Sequence, residues 1–139
     1  MNVMQSDVHA FLIKHLGADP NAPDWPNSTG IYNKWQLIQE EYIELARAVG
    51  IRMAVNYDEM RFDRTAVVKE LCDLLYVIFN MFEELHLDAQ PFFDAVHASN
   101  MTKTPAALSP NKKILKGPDY VPPPIAEMLA KLKPAQTST

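Results

Sequence analysis

Five acids in two short runs hold most of the chemistry this sequence can do. Gln39-Glu40-Glu41-Tyr42-Ile43-Glu44-Leu45 carries three of them, and Glu70-Leu71-Cys72-Asp73 the other two. At one helical step per residue, Glu40 and Glu44 lie about 40° apart and Glu41 completes an arc of about 100°, so the three carboxylates share one face. The apolar stripe Ile38, Tyr42, Leu45, Val49 runs immediately beside them, so these acids border a core. Glu70 and Asp73 stand about 60° apart on a second helix. Their face continues through Val77 and Asn80, and the segment around them, Leu71 to Phe79, is apolar on every side. An ionised carboxylate in such low-dielectric surroundings is costly unless a cation or strong donors compensate it. Taken singly, Glu40 and Glu41 read as solvated helix acids, and Asp73 as a partner for Arg47 or Lys69. Two helices that each set acids at i, i+3 or i+4 beside an apolar stripe point instead to a divalent-metal site. Glu40, Glu41, Glu44, Glu70 and Asp73 are its candidate ligands. An all-oxygen donor set suits Mg²⁺ or Mn²⁺, whereas zinc favours His and Cys.

Hard cations held by carboxylates serve phosphate chemistry. The complementary basic groups lie downstream: Asn100 and Lys103, then Lys112, Lys113 and Lys116 in a Pro-rich loop. A lysine is a mobile point charge that can reach polyphosphate oxygens. Asn100, Lys103 and Lys116 are therefore the candidate phosphate contacts of a bound nucleotide. For the base, Asn80 can hydrogen-bond an edge, while Trp25, Trp35 and Tyr76 can stack on a ring. Core packing is the plain alternative for each aromatic.

The elements that must position these groups follow from the breakers. Prolines cluster at Pro20, Pro23 and Pro26 and again between Pro105 and Pro124, and the glycines fall at proposed boundaries. The long stretches between them carry helical periodicity. Helix 1 is expected over Asp7 to Leu16, with Ser6 as N-cap, Gly17 as stop, and Val8, Phe11, Leu12 and His15 on one face. Helix 2 spans Thr29 to Val49, helix 3 Arg64 to Leu87 as the buried central helix, and helix 4 follows Asp88 as its N-cap and runs to about Met101, with Pro91 tolerated in its first turn. A turn around Asp58 to Met60 precedes helix 3. A loop from Thr102 to Pro124 leads to a short helix, Ile125 to Leu132, and a polar tail. The expected fold is all-α, a bundle of four to five helices forming a single domain over residues 1–133, with a disordered tail at 134–139.

Composition excludes other classes. The 139 residues are 47% hydrophobic and 22% charged, as in ordinary globular chains. No apolar run approaches the roughly 20 residues of a membrane span, and no secretory signal is visible. The formal net charge of −4 gives no basic surplus for nucleic acid. The one cysteine, Cys72, rules out an internal disulfide and reads as a small buried residue in a cytoplasmic protein.

As a set, these residues resemble a known group. Glu40-Glu41-x-x-Glu44 followed by Glu70-x-x-Asp73 is similar to the EExxE…ExxD signature of the all-α nucleoside triphosphate pyrophosphohydrolases. That superfamily includes MazG-like proteins, dimeric dUTPases and phosphoribosyl-ATP pyrophosphohydrolase. Leu37-Ile38-Gln39 before the first motif, Asp73-Leu74-Leu75-Tyr76 in the second, and Val96-His97-x-x-Asn100-Met101-x-Lys103 extend the resemblance. Lys116-Gly117-Pro118-Asp119-Tyr120 resembles a closing loop of short, phage-borne, MazZ-like members.

The resemblance implies a metal-dependent enzyme, dimeric or tetrameric, that cleaves a nucleoside triphosphate between its α- and β-phosphates. Glu41, Glu44, Glu70 and Asp73 would hold metal, and Glu40 would bind a further ion or orient the attacking water. Glu40 and Glu41 are thus the candidate catalytic acids, with Glu40 the best-placed proton acceptor. The loop's likeness to relatives acting on GTP and dGTP favours guanine nucleotides. Lys34, in front of Trp35, departs from the arginine of many relatives. Two other readings compete. A di-iron bundle would need paired Glu-x-x-His motifs, for which Glu83/His86 and Asp94/His97 are the only material. A non-catalytic nucleotide-binding or interaction module would bind without turnover.

Overall fold

The computed structural model describes residues 1–17, 28–50, 62–104 and 113–132. Among them the chain forms five helices and no strand: α1 (Val3–Leu16), α2 (Ser28–Val49), α3 (Arg64–Glu84), α4 (Ala89–Asn100) and α5 (Ile125–Lys131). The fold is all-α, as the periodicity requires. The expected turn at 58–60, Trp25, Lys112 and the 134–139 tail lie outside the described residues.

Local chemistry sets the helix ends. α1 starts four residues earlier than its sequence suggests, because Asn2 is the N-cap and its side chain accepts from the Gln5 backbone N–H at 2.8 Å. Ser6, the expected cap, sits inside the helix, where its hydroxyl donates back to the Asn2 carbonyl at 3.0 Å. Gly17 ends α1 in the left-handed region, φ 61°, where a side chain would be strained. Asp63 caps α3 by accepting from Thr65 and Ala66 N–H. α3 stops at Glu84, short of the expected Leu87. Asp88 caps α4 through Gln90 N–H, so Pro91 falls in the first turn.

The chain forms two compact units, Met1–Leu87 and Asp88–Thr139. In the first, α3 packs against both α1 and α2. The α1–α3 contact is antiparallel. Phe11 meets Tyr76 edge to face at 5.5 Å, while Gln5, a turn and a half earlier, reaches Glu83 and the Leu87 carbonyl, both at 2.8 Å. Val8 and Leu12 of α1 and Val77 and Phe79 of α3 are buried. Glu83 is buried as well, and both its oxygens are engaged by α1: Oε1 accepts from Gln5 Nε2, and Oε2 lies 2.7 Å from His9 Nδ1. Glu83 therefore fastens α1 to α3, which removes it from a di-iron ligand set.

One expectation about α3 needs correcting. Its apolar residues do not all enter a core, because α1 and α2 cover only part of its circumference. Val68, Leu71, Leu75 and Tyr76 stay 38–55% exposed. Cys72 shares that face and is exposed, not buried.

The second unit contains α4, the described part of the following loop and α5. Asp94 accepts from Gln90 Nε2 at 2.7 Å on the α4 surface. Backbone turns continue past α4, with Thr102 N–H to Ser99 O and Lys103 N–H to Asn100 O. No helix among the described residues is long and apolar enough to cross a membrane.

Candidate metal centre

α2 and α3 bring the two acidic runs together. One carboxylate oxygen each from Glu41, Glu44 and Glu70 can be chosen so that all three lie within 4.8 Å of one another. The helical arc that joins Glu41 to Glu44, and the packing of α2 on α3, produce this convergence from positions 26 and 29 residues apart in the chain.

Charge balance in the cluster is incomplete. Lys69 Nζ donates to Glu70 Oε1 at 3.1 Å and to Asp73 Oδ2 at 2.7 Å. Lys69 is thus the cation that the sequence offered as one partner for Asp73, and these two contacts hold its ammonium protonated well above the ordinary lysine range. Among the described residues, Glu41 Oε2 and Glu70 Oε2 are buried with no hydrogen-bond partner. Burial pushes the Glu41 carboxyl above the ordinary carboxylate range. The negative charges of Glu44, Asp73 and Glu70 add to that shift, and Lys69 opposes it only in part. Buried carboxylate oxygens normally have partners. Three convergent acids, two of them with a buried oxygen that lacks a partner and the third, Glu44, exposed, form a donor set that fits a hard divalent cation.

The remaining expected site residues fall as follows. Glu40 is exposed on α2 and is not one of the three converging acids. Asp73 has a side chain 41% exposed and tied to Lys69. Asn80, two turns beyond Asp73 on α3, is 7% exposed, and its Oδ1 has no hydrogen-bond partner among the described residues. Tyr76 contacts Phe11, and Trp35 is 49% exposed on α2. Asn100, Lys103 and Lys116 belong to the second unit. Asn100 is exposed, and Lys116 sits over the Tyr120 ring, 4.8 Å from its centroid. Lys69 is the group that sequence reasoning did not place in the site, although its i, i+4 spacing to Asp73 and its contact with Glu70 make it part of the acid cluster.

Five helices with a carboxylate cluster between two of them define the class: an all-α protein with an acid site able to take a divalent cation. Residues 7–100 match the phosphoribosyl-ATP pyrophosphohydrolase family, and the chain belongs to that family, within the MazG-like all-α nucleoside triphosphate pyrophosphohydrolase superfamily. The family comprises pyrophosphohydrolases that act on nucleotide substrates. Among curated proteins, none matches the chain. The match spans both acidic runs and ends at Asn100, so Lys103 and Lys116 lie beyond it.

Proposed function

We propose that this protein is a divalent-metal-dependent nucleoside triphosphate pyrophosphohydrolase that converts a (d)NTP, with (d)GTP favoured, to the monophosphate and pyrophosphate. The observation that carries the reading is the convergence of Glu41, Glu44 and Glu70, in which Glu41 and Glu70 each keep a buried carboxylate oxygen with no hydrogen-bond partner among the described residues. These three would hold Mg²⁺ or Mn²⁺, with Asp73 and Glu40 at the margin of the set. A bound divalent ion supplies charge neutralisation on the triphosphate and acidifies a coordinated water. Glu40, solvent-facing and outside the convergent three, accepts the proton of the attacking water, and Glu41 holds its neighbourhood negative. Attack at the α-phosphorus expels pyrophosphate, whose charge Asn100, Lys103 and Lys116 receive. The Asn80 carbonyl oxygen, buried with no donor among the described residues, suits a base edge that presents N–H groups, as guanine does. Trp35 and Tyr76 supply ring surface for that base. The exposed apolar face of α3 supports self-association to a dimer or tetramer. We assign no role at a membrane or on nucleic acid, and place the reaction in the cytoplasm.

The test is product analysis with the eight common NTPs and dNTPs, plus phosphoribosyl-ATP, in Mg²⁺, alongside Glu70→Gln and an EDTA control. Monophosphate and pyrophosphate from a triphosphate, lost in both controls, is the expected result. Diphosphate plus orthophosphate would overturn the bond assignment, and exclusive cleavage of phosphoribosyl-ATP would overturn the substrate class. Binding without turnover would move the protein to the interaction-module reading.

A further inference from the structure

The loop after α4 is held by side chains in a manner the family match, which stops at Asn100, does not cover. The backbone N–H of Val121 donates to Thr102 Oγ1 at 2.8 Å, and the Val121 carbonyl accepts from Ser99 Oγ at 2.6 Å. Thr102 Oγ1 in turn donates to the Ser99 carbonyl at 2.7 Å, which closes the circuit. Two hydroxyls at the end of α4 thus give Val121 the pair of contacts that a neighbouring strand would give it. Ser99 is 5% exposed, so its hydroxyl is committed to this contact. A second point of closure lies at Gly117, where a Cβ would overlap the hydroxyl and Cβ of Thr104. Between the two points the chain makes a tight turn, Tyr120 N–H to Gly117 O at 3.1 Å, and Lys116 and Tyr120 flank it as a cation–π pair.

The stretch 99–103 therefore does two things in alternation. Ser99 and Thr102 grip the loop, and Asn100 and Lys103 follow each grip residue by one position. We propose that this clasp is a polyphosphate latch: Ser99, Thr102 and Gly117 are positioning residues that hold the Lys116 turn in place, so that its ammonium serves the anionic tail of the substrate from the same unit as Asn100 and Lys103. The inference rests on the nucleotide reading above and names the residues that act through Lys116. A loop already ordered loses less conformational freedom when its lysine engages phosphate. The Tyr120 ring steadies the ammonium without neutralising it, leaving its full charge for an anion.

A double-mutant cycle tests the latch. The variants are Thr102→Val, which keeps the shape and removes the hydroxyl, Thr102→Ser, which restores it, Lys116→Gln, and Thr102→Val with Lys116→Gln. Gly117→Ala provides an independent break. Two readouts are taken: KM and kcat for dGTP, and affinity for inorganic tripolyphosphate by calorimetry. The expected result is that Thr102→Val and Gly117→Ala raise KM and weaken tripolyphosphate binding about three- to tenfold, with kcat altered by less than about twofold. Thr102→Ser behaves as wild type, and the double variant is no worse than Lys116→Gln alone. Additive losses, or no loss in Thr102→Val, would overturn the latch. If the wild type turns over no nucleotide, the nucleotide reading falls, and the tripolyphosphate cycle still decides the latch. A wild type that binds no tripolyphosphate would overturn it outright.

Discussion

Glu70 divides its carboxylate: Oε1 takes the Lys69 ammonium, and Oε2 is buried with no partner among the described residues. Lys69 therefore tempers the cluster without filling it. Replacing it by Gln removes a competing positive charge from two acids at once. Mn²⁺ affinity is expected to rise about two- to fivefold in Lys69→Gln, since the lysine is solvent-exposed and its influence is screened. Unchanged or weaker binding by calorimetry would show that Lys69 supports the ion. Glu41 gives a pH dependence of determinate sign. Its raised pKa keeps a proton on the carboxyl at a pH where an ordinary glutamate is already ionised. A cation must displace that proton, so Mn²⁺ affinity is expected to fall with acidification starting above the ordinary carboxylate range. In the metal-free protein the same shift acts the other way on stability. Its contribution is complete below the unfolded-state pKa and is lost as pH rises through the folded one. Titrations of Mn²⁺ across pH check the first, and chemical denaturation in EDTA checks the second. A Glu41→Gln variant that kept the wild-type pH profile would contradict both.

At the scale of elements, α1 is held to α3 by polar contacts as much as by packing. Gln5 is fully buried, and its amide serves both Glu83 and the end of α3. Gln5→Ala leaves a buried carboxylate oxygen and a carbonyl short of a donor, and is expected to cost about 1–3 kcal/mol, measured by denaturant unfolding. A change near zero would mean that water replaces the amide. The helices themselves were legible in the sequence because glycine and proline punctuate them: Gly17, Asp88 and Pro91 do what their chemistry predicts. The start of α1 was not legible, because Asn2 and Ser6 are both good caps and only the fold shows Ser6 bonding backwards. The convergence of Glu41, Glu44 and Glu70 could be anticipated from two helical arcs. Lys69 was one of two partners that the spacing offered Asp73, and its i, i+4 place on α3 decides for it; the Gln5–His9–Glu83 fastening and the Ser99–Thr102 clasp could not be anticipated, since each depends on which segments meet.

For the whole molecule, the unresolved account is the apolar face of α3. Val68, Leu71, Cys72, Leu75 and Tyr76 follow i, i+3, i+4, i+7, i+8 spacing and remain exposed in the single chain. The apolar run reads in the sequence as a buried central helix, whereas in the single chain this side of it is exposed. Within the first unit α3 packs on α1 and α2, and among the described residues nothing else covers this face. Self-association through this face is expected, and Leu71→Lys with Leu75→Lys should shift light-scattering mass to that of one chain while helicity by circular dichroism is retained. A wild type that is monomeric at high concentration would contradict that expectation.

The most direct test of the central claim is Mn²⁺ binding to the wild type and to Glu41→Gln and Glu70→Gln, followed by electron paramagnetic resonance, with circular dichroism confirming that all three are folded. The wild type is expected to take up Mn²⁺ in competition with Mg²⁺, and each substitution to weaken uptake by about tenfold or more. Equal uptake by all three proteins, or none by the wild type at millimolar Mn²⁺, would contradict a metal centre built on Glu41, Glu44 and Glu70.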